Sequence, residues 1–323
     1  MSISLVGYGQ VDNQFKNDSS FTAPSVIGLP RSKGLVISRE IIRDYRIRST
    51  SDQPFGNSSG EIRRNRRWEF KLRLPVLLKE NLKIAAGVQY SVEEFNFDDG
   101  PNSYPFYQNL EDRPLRSIRG DVIIIKPTRT KRFYILRVSG SLNGDYDDSD
   151  FSNGDFFRFS VTPLIGWKKN DYTAFGFGAS LSYNFGRRAI FPVITYNHSF
   201  NNKWGVEAIL PANAKLRFST LDQKNFFYLK TELKGNNYSV RLEETQNELF
   251  FLNNSEVRFL MTWEREIHDW LWFGVESGLR SNINFDLSDS PQLNAEALVD
   301  NDIRAAFVFN FSLFVVPPRK FLK

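Results

Sequence analysis

From Thr173 to Gly186 large apolar and small or polar residues alternate. Phe175, Phe177, Ala179, Leu181, Tyr183 and Phe185 take the odd positions, and Ala174, Gly176, Gly178, Ser180, Ser182 and Asn184 the even ones. Successive side chains of a strand leave opposite faces of a sheet, so this period predicts a β-strand with one greasy face. The run is about twice the usual strand length. A strand of about ten residues or more with such faces suits a barrel wall whose outside meets lipid. The same alternation sets Trp68, Phe70, Leu72 and Leu74 against Glu69, Lys71 and Arg73, and Leu82, Ile84, Ala86, Val88, Tyr90 and Val92 against Lys83, Ala85, Gly87, Gln89, Ser91 and Glu93.

Candidate strands are 35–48, 68–74, 82–93, 117–126, 132–142, 156–168, 173–186, 189–199, 203–210, 214–221, 225–234, 237–244, 255–265, 270–284 and 303–316, fifteen in all, with no convincing helix between them. Single-chain bacterial barrels use even counts, so one candidate is surplus. The weakest are 35–48, where Arg39 and Arg43 share a face with Leu35 and Ile37, and 117–126, which ends in the continuous run Val122–Ile125. The expectation is an all-β fold, a single up-and-down antiparallel transmembrane β-barrel of about fourteen strands, with twelve or sixteen as alternatives.

Connections come in two kinds. Short ones at 75–81, 127–131 and 211–213 read as periplasmic turns, and long ones at 97–114, 145–155 and 286–302 as extracellular loops. Two short connections in succession, 168–171 and 186–188, mark where the miscount is expected. Trp68, Trp167, Trp204, Trp263, Trp270 and Trp272 fall near candidate strand ends, as an interfacial aromatic girdle requires. Pro163 and Pro192, inside candidate strands, demand bulges or strand starts. A soluble sandwich is the competing all-β fold; the strand lengths, the small residues on the polar face and the tryptophans count against it. Residues 1–10 read as the remnant of a signal peptide, 11–34 as an irregular N-terminal segment, and 35–323 as the barrel.

Composition narrows the function classes. The chain has 323 residues, no Cys, and an aromatic share of 15%. Thiolate catalysis, disulfides and Cys-bound metals are therefore excluded. Mean hydropathy is −0.39, and no apolar run approaches the 18 or so residues of a spanning helix. A net charge of +5 raises nucleic acid as a partner, but 37 acidic residues are interspersed with 42 basic ones, and a nucleic-acid reader concentrates its charge. No nucleic acid is expected.

At Tyr183-Asn-Phe-Gly186, Pro192, Tyr196, Trp204 and the Leu210-Pro211 turn leading to Leu216 and Phe218, the chain resembles a family of Bacteroidota outer-membrane β-barrel proteins of unknown function. The resemblance is clearest over residues 170–240. It implies a barrel in the bacterial outer membrane and brings no catalytic residue with it. The ending VVPPRKFLK departs from the terminal aromatic common to such barrels.

Charged positions on the polar faces are the candidate lumen residues: Glu69, Lys71, Arg73, Lys230, Glu232, Arg241, Glu243, Arg258, Glu264, Glu276 and Arg280. Hydrated, they line a channel; paired, they plug it. Arg63, Arg64, Arg66 and Arg67 form a separate basic run just before Trp68, placed to contact the phosphates of an anionic glycolipid such as lipid A. The two histidines, His198 and His268, sit at strand ends, and Ser199 beside His198 points to the opposite face. Asp145-Tyr-Asp-Asp-Ser-Asp150 begins like a calcium loop but has Asp150 where glycine belongs. No catalytic residue, cofactor or metal is expected. The partners expected are outer-membrane lipid and other envelope proteins, for a non-catalytic barrel acting as a structural or partner-binding envelope component; the alternative is a passive pore or transporter for small polar solutes.

Overall fold

Among the residues described by the computed structural model, 26–51, 55–98, 104–146, 154–183, 187–242, 248–292 and 295–321, the wall is built from long antiparallel strands. They are β1 (Leu35–Thr50), β2 (Ser58–Lys79), β3 (Leu82–Phe97), β4 (Leu115–Pro127), β5 (Arg132–Gly144), β6 (Phe157–Asn170), β7 (Thr173–Ser182), β8 (Ala189–Ser199), β9 (Trp204–Leu210), β10 (Asn213–Ser219), β11 (Asn225–Arg241), β12 (Leu249–His268), β13 (Leu271–Ser288), β14 (Ala297–Ile303) and β15 (Ala306–Val315). One α-helix, α1 (Pro105–Asp112), lies between β3 and β4. The last two strands run end to end: β14 pairs with Ile47–Thr50 of β1 and the far end of β13, and β15 pairs with Leu35–Ile42 and with Leu271–Arg280. They are one interrupted wall strand, so the barrel closes with fourteen. Residues 1–10 and the rest of the chain up to 25, where the signal remnant is expected, lie outside the described residues.

The surplus candidate is neither of the two weak ones, since both β1 and β4 stand in the wall. It arises because 225–234 and 237–244 are largely one strand: β11 runs on through Gly235 and Asn236, paired to Ser255 and Asn254 of β12. Nor is the miscount at 168–171 or 186–188, which lie at opposite ends of the wall, the end of the short turns and the end of the long loops. The Pro211–Asn213 connection, read as a periplasmic turn, instead faces the loop end, partway up the wall, because β9 runs away from the β8–β9 turn and stops level with Glu232 of β11. Pro163 falls where the β6–β7 ladder is interrupted, which is where a residue without a backbone N–H is tolerated.

The apolar faces point outward, and residues such as Phe177, Leu229, Phe259 and Phe307 are more than half exposed. Above Leu233 the path of β11 changes. The strand leaves β10 behind, crosses toward β5 and meets it at Ser239 and Gly144, where Asp145 N donates to Ser239 O at 3.1 Å. Its former outer face is now covered: Asn237 and Ser239 are fully buried, and Arg158 of β6 donates to Asn237 Oδ1 at 2.7 Å and to Ser239 Oγ at 2.8 Å. The loop end is thus a narrower ring lined by strands β1–β5 and β11–β14. A Cβ on Gly144 would stand 2.2 Å from Ser239 O. Gly144→Ala is therefore expected to lower stability by about 1–3 kcal/mol, the usual range for overpacking, read as the urea midpoint in detergent; an unchanged midpoint would show that the β5–β11 junction carries no weight.

Inside the ring is the main apolar core, with Ile42, Tyr45, Ile62, Phe95, Tyr238, Leu252 and Phe285 among its members. Helix α1 descends into it and buries Phe106, Tyr107 and Leu110 completely. Pro105 at the first helical turn fixes the entry dihedral and loses no hydrogen bond there,. The region 97–114, expected as an extracellular loop, is in part this helix. Eight residues with Gln108, Asn109, Glu111 and Asp112 among them carry too little periodicity to announce a helix.

Candidate functional site

The lumen below the apolar core carries charge in layers. Closest to the core, Glu40, Glu93 and Glu256 face Arg67, Arg258 and Arg280, all nearly inaccessible. Arg67 donates to Glu40 at 2.9 Å, Glu93 at 2.8 Å and Glu256 at 3.3 Å. Arg258 holds Glu40 at 2.6 Å and also pairs with Glu256, which Arg280 reaches at 3.3 Å. These pairs run from β1, β2 and β3 to β12 and β13, so they bridge the lumen as well as neighbouring strands. Charge this deep persists only when each partner is matched and hydrogen-bonded, and here three carboxylates meet three guanidiniums.

Toward the turn end the groups spread apart around a cavity of about 600 Å³. Glu69 pairs with Lys71 at 2.8 Å, Arg73 with Asp121 at 3.2 Å, Lys230 with Glu276 at 2.6 Å and Glu232 at 3.3 Å, and Glu264 with Lys33 at 2.5 Å. Ten cationic and six anionic side chains line this space, so its field favours anions. Arg119 and Lys234 make no carboxylate pair among the described residues; Arg119 donates only to Asn236 Oδ1 at 3.3 Å. The floor is a strap, residues 26–34. Ile27 N donates to Asp171 O at 2.9 Å beside the β6–β7 turn, Arg31 reaches Asp269 at 3.1 Å and Glu266 at 3.3 Å beside the β12–β13 turn, and Gly34 N donates to Val315 O at 2.8 Å.

Of the candidate lumen charges, Glu69, Lys71, Arg73, Lys230, Glu232, Arg258, Glu264, Glu276 and Arg280 point inward and are ion-paired. Arg241 does not line the lumen. Along the single strand β11 it shares parity with Phe227 and Leu229, and its guanidinium lies 5.1 Å from the Phe156 ring. Glu243 lies outside the described residues. Arg67, grouped with the lipid-facing arginines, is a buried lumen residue; period two continued upward from Glu69 assigns it inward. Arg63, Arg64 and Arg66 face out, with a register shift between Ile62 and Arg64.

Trp272 is likewise internal. It shares its face with Glu276 and Arg280 and packs on Phe226 and Phe314, with Arg31 5.6 Å from its ring. Trp68 faces out but lies in mid-strand, since β2 begins ten residues earlier, at Ser58. Trp167, Trp204, Trp263 and Trp270 lie toward the turn end, Trp167 stacked on Phe175 and Phe177, and Trp263 on Phe227. The candidate lumen charges omit Glu40, Glu256, Arg119, Asp121 and Lys234, and Glu93 too, although the alternation of its strand already set it on the polar face; alternation along β1, β4, β11 and β12 held the signal for the others.

His198 Nδ1 is 2.9 Å from Thr173 Oγ1, and its ring packs on Tyr196 and Phe200. Ser199 Oγ faces the other way, to Ile27 O at 2.5 Å and Arg217 Nη2 at 3.0 Å. His268 lies beside Trp270. Asp145 accepts from Arg241 N at 2.9 Å and from Asn109 Nδ2 at 3.1 Å, so its carboxylate anchors α1; residues 147–150 of the acidic stretch lie outside the described residues. Among the described residues no cluster of three or more metal-ligating side chains is present.

The chain belongs to the family described as Domain of unknown function (DUF6268), whose model matches residues 111–307. The match bears on the family and not on the Bacteroidota lineage that the resemblance implied. No curated protein matches the chain. Among solved structures, a Pseudomonas aeruginosa FadL homologue is similar at TM-score 0.44 and 8% identity, over 88% of this chain and 91% of that one. An outer-membrane channel from Pseudomonas putida F1 is similar at TM-score 0.43 and 11% identity, over 90% and 97%. The Pseudomonas putida toluene transporter TodX gives TM-score 0.38 and 9% identity, over 87% and 89%. Likeness at that level says nothing of what enters this lumen.

Proposed function

We propose that this member of the family is a gated outer-membrane passage for small anionic polar solutes, with β-turns in the periplasm and loops outside. The observation that carries this reading is the cavity of about 600 Å³, left open and lined with charge between two closures that include connecting segments, α1 above and residues 26–34 below. A barrel with only a structural role has no need of such a space, and the partly exposed ion pairs around it contribute little to cohesion,. Closures made by segments joined to the wall can move without opening the sheet. The apolar core around α1 fills the loop end in this conformation, so we read the passage as gated and not as a passive pore.

The cationic excess sets the selectivity through the local field. In planar bilayers under a salt gradient, openings are expected to show anion-side reversal potentials, and Arg119→Glu with Lys234→Glu to move them to the cation side. A protein that gives no steps even after its loop-end closure is removed, while retaining a protein partner through purification, would overturn the passage in favour of a structural or partner-binding envelope component.

A further inference from the structure

The outer face of β1 and β2 carries arginines where a membrane barrel ordinarily presents apolar side chains or, above them, mixed charge. Arg39 and Arg43 point outward from β1, and Arg64 and Arg66 from β2; in the ladder Arg43 is opposite Arg64, Ile41 opposite Arg66 and Arg39 opposite Trp68. Closer to the loop end the same face is balanced: Arg46 lies 3.9 Å from Glu61 and Arg63 3.8 Å from Asp98. The four arginines below them have no carboxylate within ion-pair distance among the described residues; the nearest acids on this part of the wall are Glu94, opposite Arg66, and the exposed Asp44, next to Arg43 in β1.

Their height on the wall decides what they meet. Leu78, Val76, Leu74, Phe70 and Trp68 are exposed in succession along β2. With about 2.5 Å of height per residue for a strand tilted about 40°, that band is about 25 Å tall, the thickness of a barrel's lipid-facing belt. Trp68 is its upper edge, with the Arg39 guanidinium 5.0 Å from its ring, and the cluster begins there. We propose that Arg39, Arg43, Arg64 and Arg66 form a binding site for the phosphorylated headgroup of an outer-leaflet glycolipid, with the acyl chains lying along Trp68, Phe70 and Ile37. Four planar guanidiniums unmatched by protein carboxylates suit phosphate oxygens bidentately, and the apolar surface directly beneath suits a lipid and not a free anion. The site needs the wall to stand in the outer membrane; it does not need the lumen to conduct.

The test compares wild type, Arg39→Gln/Arg43→Gln/Arg64→Gln/Arg66→Gln, and the control Arg46→Gln/Arg63→Gln, each extracted from outer membranes in mild detergent and shown to be folded by heat-modifiable gel migration. Bound bisphosphorylated glycolipid is quantified by mass spectrometry. The quadruple variant is expected to retain at least roughly tenfold less, since each basic group near an anionic surface changes affinity by about fivefold; the control and a wash with inorganic phosphate should leave retention unchanged. If the quadruple variant does not fold, Arg39→Gln/Arg43→Gln is read in the same way. Equal retention in variant and wild type overturns the site, displacement by inorganic phosphate reassigns it to a free anion, and modification of Arg64→Cys by a maleimide only from the periplasmic side overturns the topology beneath it.

Discussion

Exchanging Phe106, Tyr107 and Leu110 for serine is expected to turn a barrel that gives no conductance at low voltage into one with resolved single-channel steps. These three side chains fill the centre of the loop-end ring, and burial of each contributes about 1.5–3 kcal/mol. What remains to hold α1 is polar: Tyr107 Oη at 2.8 Å from Ser49 Oγ, itself lost in the variant, and Asn109 Nδ2 donating to Arg241 O at 2.6 Å and to Asp145. A few hydrogen bonds do not offset the loss of that burial. With the helix out, water reaches the Glu40–Arg67–Arg258 layer, whose groups are already charged and hydrate without being broken from an apolar seat. The wall itself should stand, because its ladders do not run through α1, and unchanged heat-modifiable migration would verify this. A folded variant with no steps would locate the closure in the ring of wall residues.

The second large effect is expected on stability. Arg258→Met removes the guanidinium that holds both Glu40 and Glu256, leaving carboxylates that are almost wholly buried facing only Arg67 and Arg280. Breaking a buried ion cluster from one side costs about 3–5 kcal/mol, whereas replacing all its members by neutral groups of similar size is often close to neutral. Arg258→Met alone should thus lower the urea midpoint sharply, and Glu40→Gln/Arg258→Met, which leaves Glu93 and Glu256 facing Arg67 and Arg280, should recover much of the loss. If the double variant is no better than the single one, the cluster contributes through packing of its aliphatic stems and not through matched charge. Both results bear on gating, since the same six side chains form the polar layer under α1.

Much of this architecture is readable from local pattern. Period two is a property of neighbouring residues, so Phe175 to Phe185, Trp68 to Leu74 and the inward charges Glu69, Lys71, Arg73, Arg258 and Glu276 declare their faces without reference to any partner. The same rule applied without exception would have turned Arg67 and Trp272 inward. It also bears on why β1 looked weak: Arg39 and Arg43 share the outward face of the wall with Ile37.

Only the tertiary structure decided the rest. Gly235 and Asn236 read as a break between two strands, yet β11 passes through them because β12 supplies a continuous ladder on one side. Nothing within β11 states that above Leu233 it abandons β10 for Gly144 of β5, nearly a hundred residues away in sequence. That crossing puts Asn237 and Ser239 against Arg158 and narrows the loop end to a ring that α1 fills, a segment too short and too polar to form a helix by itself. Which carboxylate meets which arginine follows from the same long-range closure. Side-chain direction is set by each strand's own alternation, but partners across a lumen are set by the order and register of the whole ring.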